Sequence, residues 1–294
     1  MAARCSSDKS VVGPGWSAVG WERGMKFTVL IVAGILVVSA LAPNPSAQNP
    51  PQKSIQEIVS EDPGAKKARA LIDQMIQALG GQAFLKVQDM EQQGHSYGFY
   101  HGNPSGLGSV FWRFWKWPDK DRIEVTKQRD VIYIYNGDQG WEITYKGTRA
   151  ADPEEVKEFV RAREYSLNTV LRVWLPEPGT ALFYEGIGLA QDKQIEKVTI
   201  INSKDQAVTI AIDQITHLPV KKSYVVRDPV SREKDEEAEI YDNWRVEQGL
   251  NTAHIIVATH NGETTRQRFL QSVTYNQGIP DSKFTATVTY VPKK

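Results

Sequence analysis

The stretch PDKDRIEVTKQRDVIYIYNGDQGWEITYKG, residues 118–147, decides the architecture. Within it, residues 122–127, 131–135 and 141–146 are short runs rich in β-branched and aromatic side chains, and Asn136-Gly137 is turn chemistry that folds one run directly back on the next. Runs this close together leave no room for a helical crossover, so neighbouring strands must be antiparallel. Upstream, residues 90–100 and 110–117 extend the pattern, separated by Gly102-Asn103-Pro104-Ser105-Gly106 and followed by Pro118-Asp119. Five strands in meander order are predicted. After Gly179 the pattern resumes at 182–186, 197–201, 207–212, 220–225, 236–246, 253–260 and 265–275, with breaks that include Asn202-Ser203-Lys204-Asp205, Asp228-Pro229 and Asn261-Gly262.

Two helical patterns interrupt the strands. Asp62-Pro63 supplies a cap and a first-turn proline, Ala68, Leu71, Ile72, Met75 and Leu79 recur on one face, and Gly80-Gly81 ends the helix. Asp152-Pro153-Glu154-Glu155 opens the second, with Val156, Phe159, Val160, Leu167, Val170 and Leu171 on one broad face and Pro176 as its stop. The reading is α+β, mainly antiparallel β: a curved, incompletely closed sheet of eleven or twelve strands, a half-barrel, with the two helices covering its open side. A roll of that circumference can enclose a ligand.

The amino-terminal segment has a different character. Phe27 to Ala42 reads FTVLIVAGILVVSALA, after Met25-Lys26 and before a proline-rich stretch. As a helix it spans roughly 24 Å, short of the ~30 Å hydrocarbon core, which favours a cleaved export signal over a membrane anchor. The mixed residues 1–24 point to Met25 as the true start. The expected organisation is a signal segment at 1–48, an extended linker at 49–64 and one domain at 65–294, in the periplasm or secreted.

The 294-residue chain carries 35 basic and 35 acidic residues. Without residues 1–48, which hold four basic and two acidic side chains, 31 basic face 33 acidic. Such a balance argues against a nucleic-acid partner, which calls for a basic surplus. The single cysteine, Cys5, excludes disulfides and thiolate clusters. His95/His101 and His254/His260 are each six residues apart, roughly 20 Å along a strand, so neither pair is a local metal site and no cofactor is expected. No Gly-x-Ser-x-Gly elbow or phosphate-binding glycine motif is present. Residues 233–239, EKDEEAE, lack the spacing of a calcium loop and read as the solvated end of a long strand.

The most informative local feature is Phe111-Trp112-Arg113-Phe114-Trp115-Lys116-Trp117, which puts large apolar surface on both faces of one strand. It reads either as a strand buried on both sides or as one wall of an apolar cavity. The candidate lining is Phe111, Trp115, Trp117, Ile123, Val125, Tyr133, Trp141, Ile143 and Tyr145, with Tyr135 beside them.

Residues 118–147 and 208–284 resemble the outer-membrane lipoprotein-sorting, LolA-like family. The similarity lies in a proline followed by a charged strand, the Asn-Gly turn and an aromatic-led strand, then the Asp-x-x-Thr-x-Leu-Pro-Val turn at 213–220 and the closing Ile-Pro-Asp-x-x-Phe at 279–284. It covers a little over a third of the chain. The resemblance implies an incomplete barrel with helices across its open side, holding acyl chains in a periplasmic carrier. Extra material around the second helix and at 179–193 implies a differently built lid. The expected function is non-catalytic binding of a lipid or acylated lipoprotein, with a membrane-bound donor or acceptor as a further partner. The alternative is an envelope sensor or scaffold using the same fold to bind a protein; a hydrolase with paired carboxylates has no positive support.

Overall fold

The structure, a computed structural model, describes residues 62–227 and 232–291. The export signal, the start at Met25 and most of the linker lie outside the described residues. Helix α1, Pro63–Leu79, forms where the sequence places it: the Asp62 carboxylate accepts from Ala65 N at 3.1 Å, and Gly80 leaves the helix at φ 129°. The strands are β1 Asp89–Tyr100, β2 Asn103–Pro104, β3 Ser109–Lys116, β4 Lys120–Val125, β5 Val131–Asn136, β6 Gln139–Thr144 and β7 Gly147–Ala150. Helix α2, Pro153–Glu164, and the helical turns Leu167–Thr169 and Val170–Trp174 follow. Then come β8 Ala181–Ala190, β9 Lys193–Ile201, β10 Ala207–Asp213, β11 Pro219–Arg227, β12 Lys234–Glu247, β13 Leu250–His260 and β14 Glu263–Tyr275.

All are paired antiparallel in one 14-stranded sheet of order β7-β6-β5-β4-β3-β1-β14-β13-β12-β11-β10-β9-β8, with β2 hydrogen-bonded to β1. The sheet stays open: its end strands β7 and β8 are consecutive in sequence, and the helical connection between them crosses the gap. The twelve expected strands are present, and two further ones, β2 and β7, are so short that no alternation could mark them. The second helical pattern is not one helix. It breaks at Tyr165 and resumes as wide π-type turns through Trp174.

Two layers of apolar contact fix the curl. On the inner face, α1 lays Ile72 and Met75 over Val198, Ile200, Val208 and Ile210, with Val170 and Trp174 closing the same cluster. On the outer face of β3 to β6, the segment after β14 packs Ile279 and Phe284 against Phe114 and Ile134. That segment is fastened by Asp89, whose buried carboxylate accepts from Gln277, Gly278 and Ile279 N at 2.7, 3.0 and 3.2 Å. Each fully buried aliphatic side chain contributes roughly 1.5–3 kcal/mol, so these layers dominate stability.

The two halves of the sheet meet where β1 pairs with β14, and the register shifts there between Gln93 and Gly94. A Cβ on Gly94 would press into the Phe269 carbonyl oxygen and lie 3.0 Å from Leu270 Cα. Both neighbours are backbone and cannot swing aside. Gly94→Ala is therefore expected to destabilise the protein by about 1–3 kcal/mol, read as a lower urea midpoint with an unchanged m-value.

Candidate functional site

The open side of the sheet carries a groove of about 930 Å³ between α2 and the β6–β7 margin, lined by Trp141, Ala151, Pro153, Val156, Val160 and Tyr165 together with the charged Asp138, Lys157, Arg161 and Glu164. Helix α2 forms because Asp152 caps it, accepting from Glu154 N at 2.8 Å, with Glu154 and Glu155 at its positive end and Arg161 and Arg163 at its negative end. Yet none of its residues is fully buried. It is seated by a few contacts: Phe159 stacks on Tyr135 at 3.9 Å, and Arg163 Nη1 donates to Gly137 O at 2.6 Å and Asp119 O at 3.3 Å. Beyond it, Tyr165 stacks on Tyr224 at 4.2 Å, and Gln206 donates to Glu164 at 2.9 Å. The connection thus touches both sides of the opening. Burial, with Glu155 and Asp121 adding to it, pushes the Tyr135 phenol up to about 12, so it stays neutral at any ordinary pH.

Inside the sheet the inner face changes from apolar to charged. Following the pairing register from Lys222 leads through Glu239, Ala258 and Arg266 to Gly98, and from Tyr241 through Ile256 and Arg268 to Ser96. Arg113 grips Asp121 with Nε at 3.0 Å and Nη2 at 2.6 Å, and Asp121 is 1% exposed. Glu239 accepts from Lys222 at 2.9 Å and from the Tyr241 hydroxyl at 2.8 Å. Burial alone would raise the Glu239 carboxyl, but Lys222 and Arg268 overcome it and hold the group well below the usual carboxylate range. The acidic run at 233–239 is therefore not simply solvated: strand alternation turns Glu237 and Glu239 onto the inner face, where Glu239 meets buried cations.

Of the nine candidate lining residues, Phe111, Trp115, Ile123, Val125 and Tyr133 share this inner face. Phe111 and Val125 pack with Leu270 and Val273. Trp117 lies past the end of β3 beneath the Arg172 guanidinium, 3.7 Å from its ring centre. Trp141 and Ile143 are on the outer face with Phe284, although Trp141 also borders the groove, and Tyr145 is 89% exposed in the β6–β7 turn. The parity switches at the β5–β6 hairpin, where Asn136 pairs with Gln139 across a two-residue loop and Tyr133 faces Glu142. That loop length was the signal available for placing Trp141 and Ile143. The α2 face, visible in the sequence as Val156 and Val160, supplies the groove wall instead.

No family model matches the sequence, and no curated protein matches it either. Solved structures do match. A DUF1329 family protein from Desulfovibrio piger superposes with a TM-score of 0.51 at 13% identity, covering 76% of this chain and 97% of that one. A putative outer membrane lipoprotein-sorting protein domain from Vibrio parahaemolyticus also gives 0.51, at 10% identity over 75% of this chain and 97% of that one. The fold is LolA-like. A LolA superfamily protein from Nitrosomonas europaea aligns over 74% of this chain and 97% of that one, at 11% identity and a TM-score of 0.46. In this LolA-like half-barrel the helical connection between the sheet's two ends takes the place expected of a lid. Among the described residues no group of three His, Cys, Asp or Glu is placed to hold a metal ion, and no helix is long and apolar enough to cross a membrane.

Proposed function

We propose that the protein is an exported, non-catalytic carrier that shelters a lipid or lipoprotein acyl chain beneath α2. The observation that carries this reading is the mainly apolar groove of about 930 Å³ walled by a helix with no fully buried residue. Its volume falls within the range of small-molecule sites. Each methylene moved into it contributes about 0.8 kcal/mol, so a sixteen-carbon chain supplies on the order of 10 kcal/mol before ordering costs. A helix seated by one aromatic stack and a few hydrogen bonds can lift at modest cost, which a carrier needs for loading and release. Export is supported by the apolar run at 27–42, and the LolA-like fold agrees with an envelope role.

Delipidated protein is expected to bind a fluorescent monoacylglycerol, and Val160→Glu to weaken that binding about tenfold by placing a carboxylate in the apolar wall. The half-buried position of Val160 on a capped helix should leave the thermal midpoint nearly unchanged. Native mass spectrometry of protein purified from its own envelope should show a bound lipid mass. A ligand-free spectrum together with no monoacylglycerol binding would overturn the reading.

A further inference from the structure

The inner face of β14 carries Arg266 and Arg268, two residues apart on a strand and therefore about 7 Å from each other along it. Their surroundings hold more positive than negative charge. Asp121 is taken by Arg113, and Glu239 by Lys222 and Tyr241, leaving Arg268 only a long contact from Nη2 to Glu239 at 3.6 Å. Four cations, Arg113, Lys222, Arg266 and Arg268, thus share Asp121 and Glu239, while the third carboxylate of this face, Glu237, is taken by His260 at 2.8 Å. The Arg268 side chain is 15% exposed, and its Nε is buried with no hydrogen-bond partner among the described residues. The Arg266 side chain is exposed and makes no ion pair or hydrogen bond among the described residues. Burial, reinforced by Arg113 and Arg266 and opposed by Glu239 and Asp121, pulls Arg268 down to about 9.

The residues flanking the charge are small. The residues directly across from the two arginines on β1 are Ser96 and Gly98, and Ala258 faces Arg266 from β13. Without a Cβ on Gly98, the Ser105 hydroxyl of the β2–β3 loop comes within 2.6 Å of where that atom would stand, adding a donor at the rim. A buried donor left without a partner calls for an explanation, and paired guanidinium groups match the planar oxygens of phosphate or carboxylate. Arg266 is also close enough to Tyr135 to act on its phenol, and Tyr135 stacks on Phe159 of α2, the helix that walls the apolar groove.

We infer that Arg266 and Arg268 form a site for an anionic oxygen group, phosphate or carboxylate, borne as the headgroup of an amphiphile whose chain occupies the groove beside α2. The inference rests on the carrier reading and narrows its cargo to anionic amphiphiles. Calorimetry on the delipidated protein with dodecyl phosphate, monododecanoylglycerol and inorganic phosphate tests it. Dodecyl phosphate is expected to bind at least tenfold more tightly than monododecanoylglycerol. Arg266→Gln, at an exposed position that should not disturb folding, is expected to remove that margin and leave the monoglyceride affinity unchanged. Arg268→Gln should remove it as well. Equal affinity for the two C12 ligands, or a margin that survives Arg266→Gln, would overturn the site. Inorganic phosphate binding as tightly as dodecyl phosphate would assign the arginines to a free anion and overturn the headgroup assignment. Phosphate binding that depends on Arg266, with no monoglyceride binding, would sustain the anion site while removing the carrier reading beneath it.

Discussion

Glu239→Gln is expected to lower the stability of the protein by about 3 kcal/mol at neutral pH, the lower end of the range for breaking a buried ion pair. Lys222 is 3% exposed and its ammonium has Glu239 as its carboxylate partner, so the amide leaves a buried cation without a counter-charge. Glu239 is 29% exposed, and this contact with water keeps the loss from being larger. The same carboxylate gives the variant a pH signature. Although burial opposes it, the Lys222 and Arg268 charges keep the folded-state carboxyl well below its unfolded value of about 4.3. The stability it contributes is therefore complete above that unfolded value and is lost as pH falls through the folded one. Urea midpoints measured from pH 7 to pH 3 should fall for the natural protein and fall less steeply for Glu239→Gln. Parallel acid limbs, or a neutral-pH loss under 1 kcal/mol, would show that the Lys222 ammonium finds water instead.

The charged interior leaves no local mark in the sequence. In EKDEEAE a charge stands at nearly every position, so alternation assigns charge to both faces and cannot tell the solvated one from the buried one. The partners that decide it, Lys222 and Arg268, are on β11 and β14 and come within reach only through the strand order. The aromatic meander was legible because its signals are local: strand composition, Pro118-Asp119 and Asn136-Gly137 lie within a few residues of what they shape. The pairing of β1 with β14, which joins residues more than 160 positions apart, left no local trace beyond Gly94, whose missing side chain makes sense only against Phe269 and Leu270. The face that each candidate lining residue occupies was half legible for the same reason. Phe111, Trp115, Ile123, Val125 and Tyr133 follow one parity through the β3–β4 and β4–β5 turns, whereas the two-residue hairpin carries Trp141 and Ile143 to the other face.

Phe284→Ala should be the more damaging substitution, costing about 3–5 kcal/mol. Phe284 is fully buried at 0% exposure, although it lies beyond the last strand in a single turn, Asp281–Phe284, of a segment with no sheet pairing of its own. Its ring, with Ile279, covers Phe114 and Ile134 on the outer face of β3 to β6. The polar fastenings are arranged around that contact: Lys116 Nζ donates to Ile279 O at 2.8 Å, Arg122 Nη1 to Lys283 O at 3.1 Å, and Asp89 holds the preceding turn. These bonds orient the segment, but each contributes only about 1 kcal/mol, so they cannot hold it once the ring is gone. Ile-Pro-Asp-x-x-Phe, residues 279–284, thus acts as a clasp in which the isoleucine and phenylalanine are inserted and the residues between them bend the chain. Hydrogen exchange should show faster opening of Ile134 and Phe114 amides in Phe284→Ala, while amides of Val198 and Ile210, under α1, open only with global unfolding. Lys283→Ala, which removes the ammonium 3.3 Å from the Phe114 ring but keeps the inserted Phe284, is expected to cost under about 1 kcal/mol. If both variants unfold alike and exchange rises evenly across the sheet, the segment is part of one indivisible core and not a clasp on its outer face.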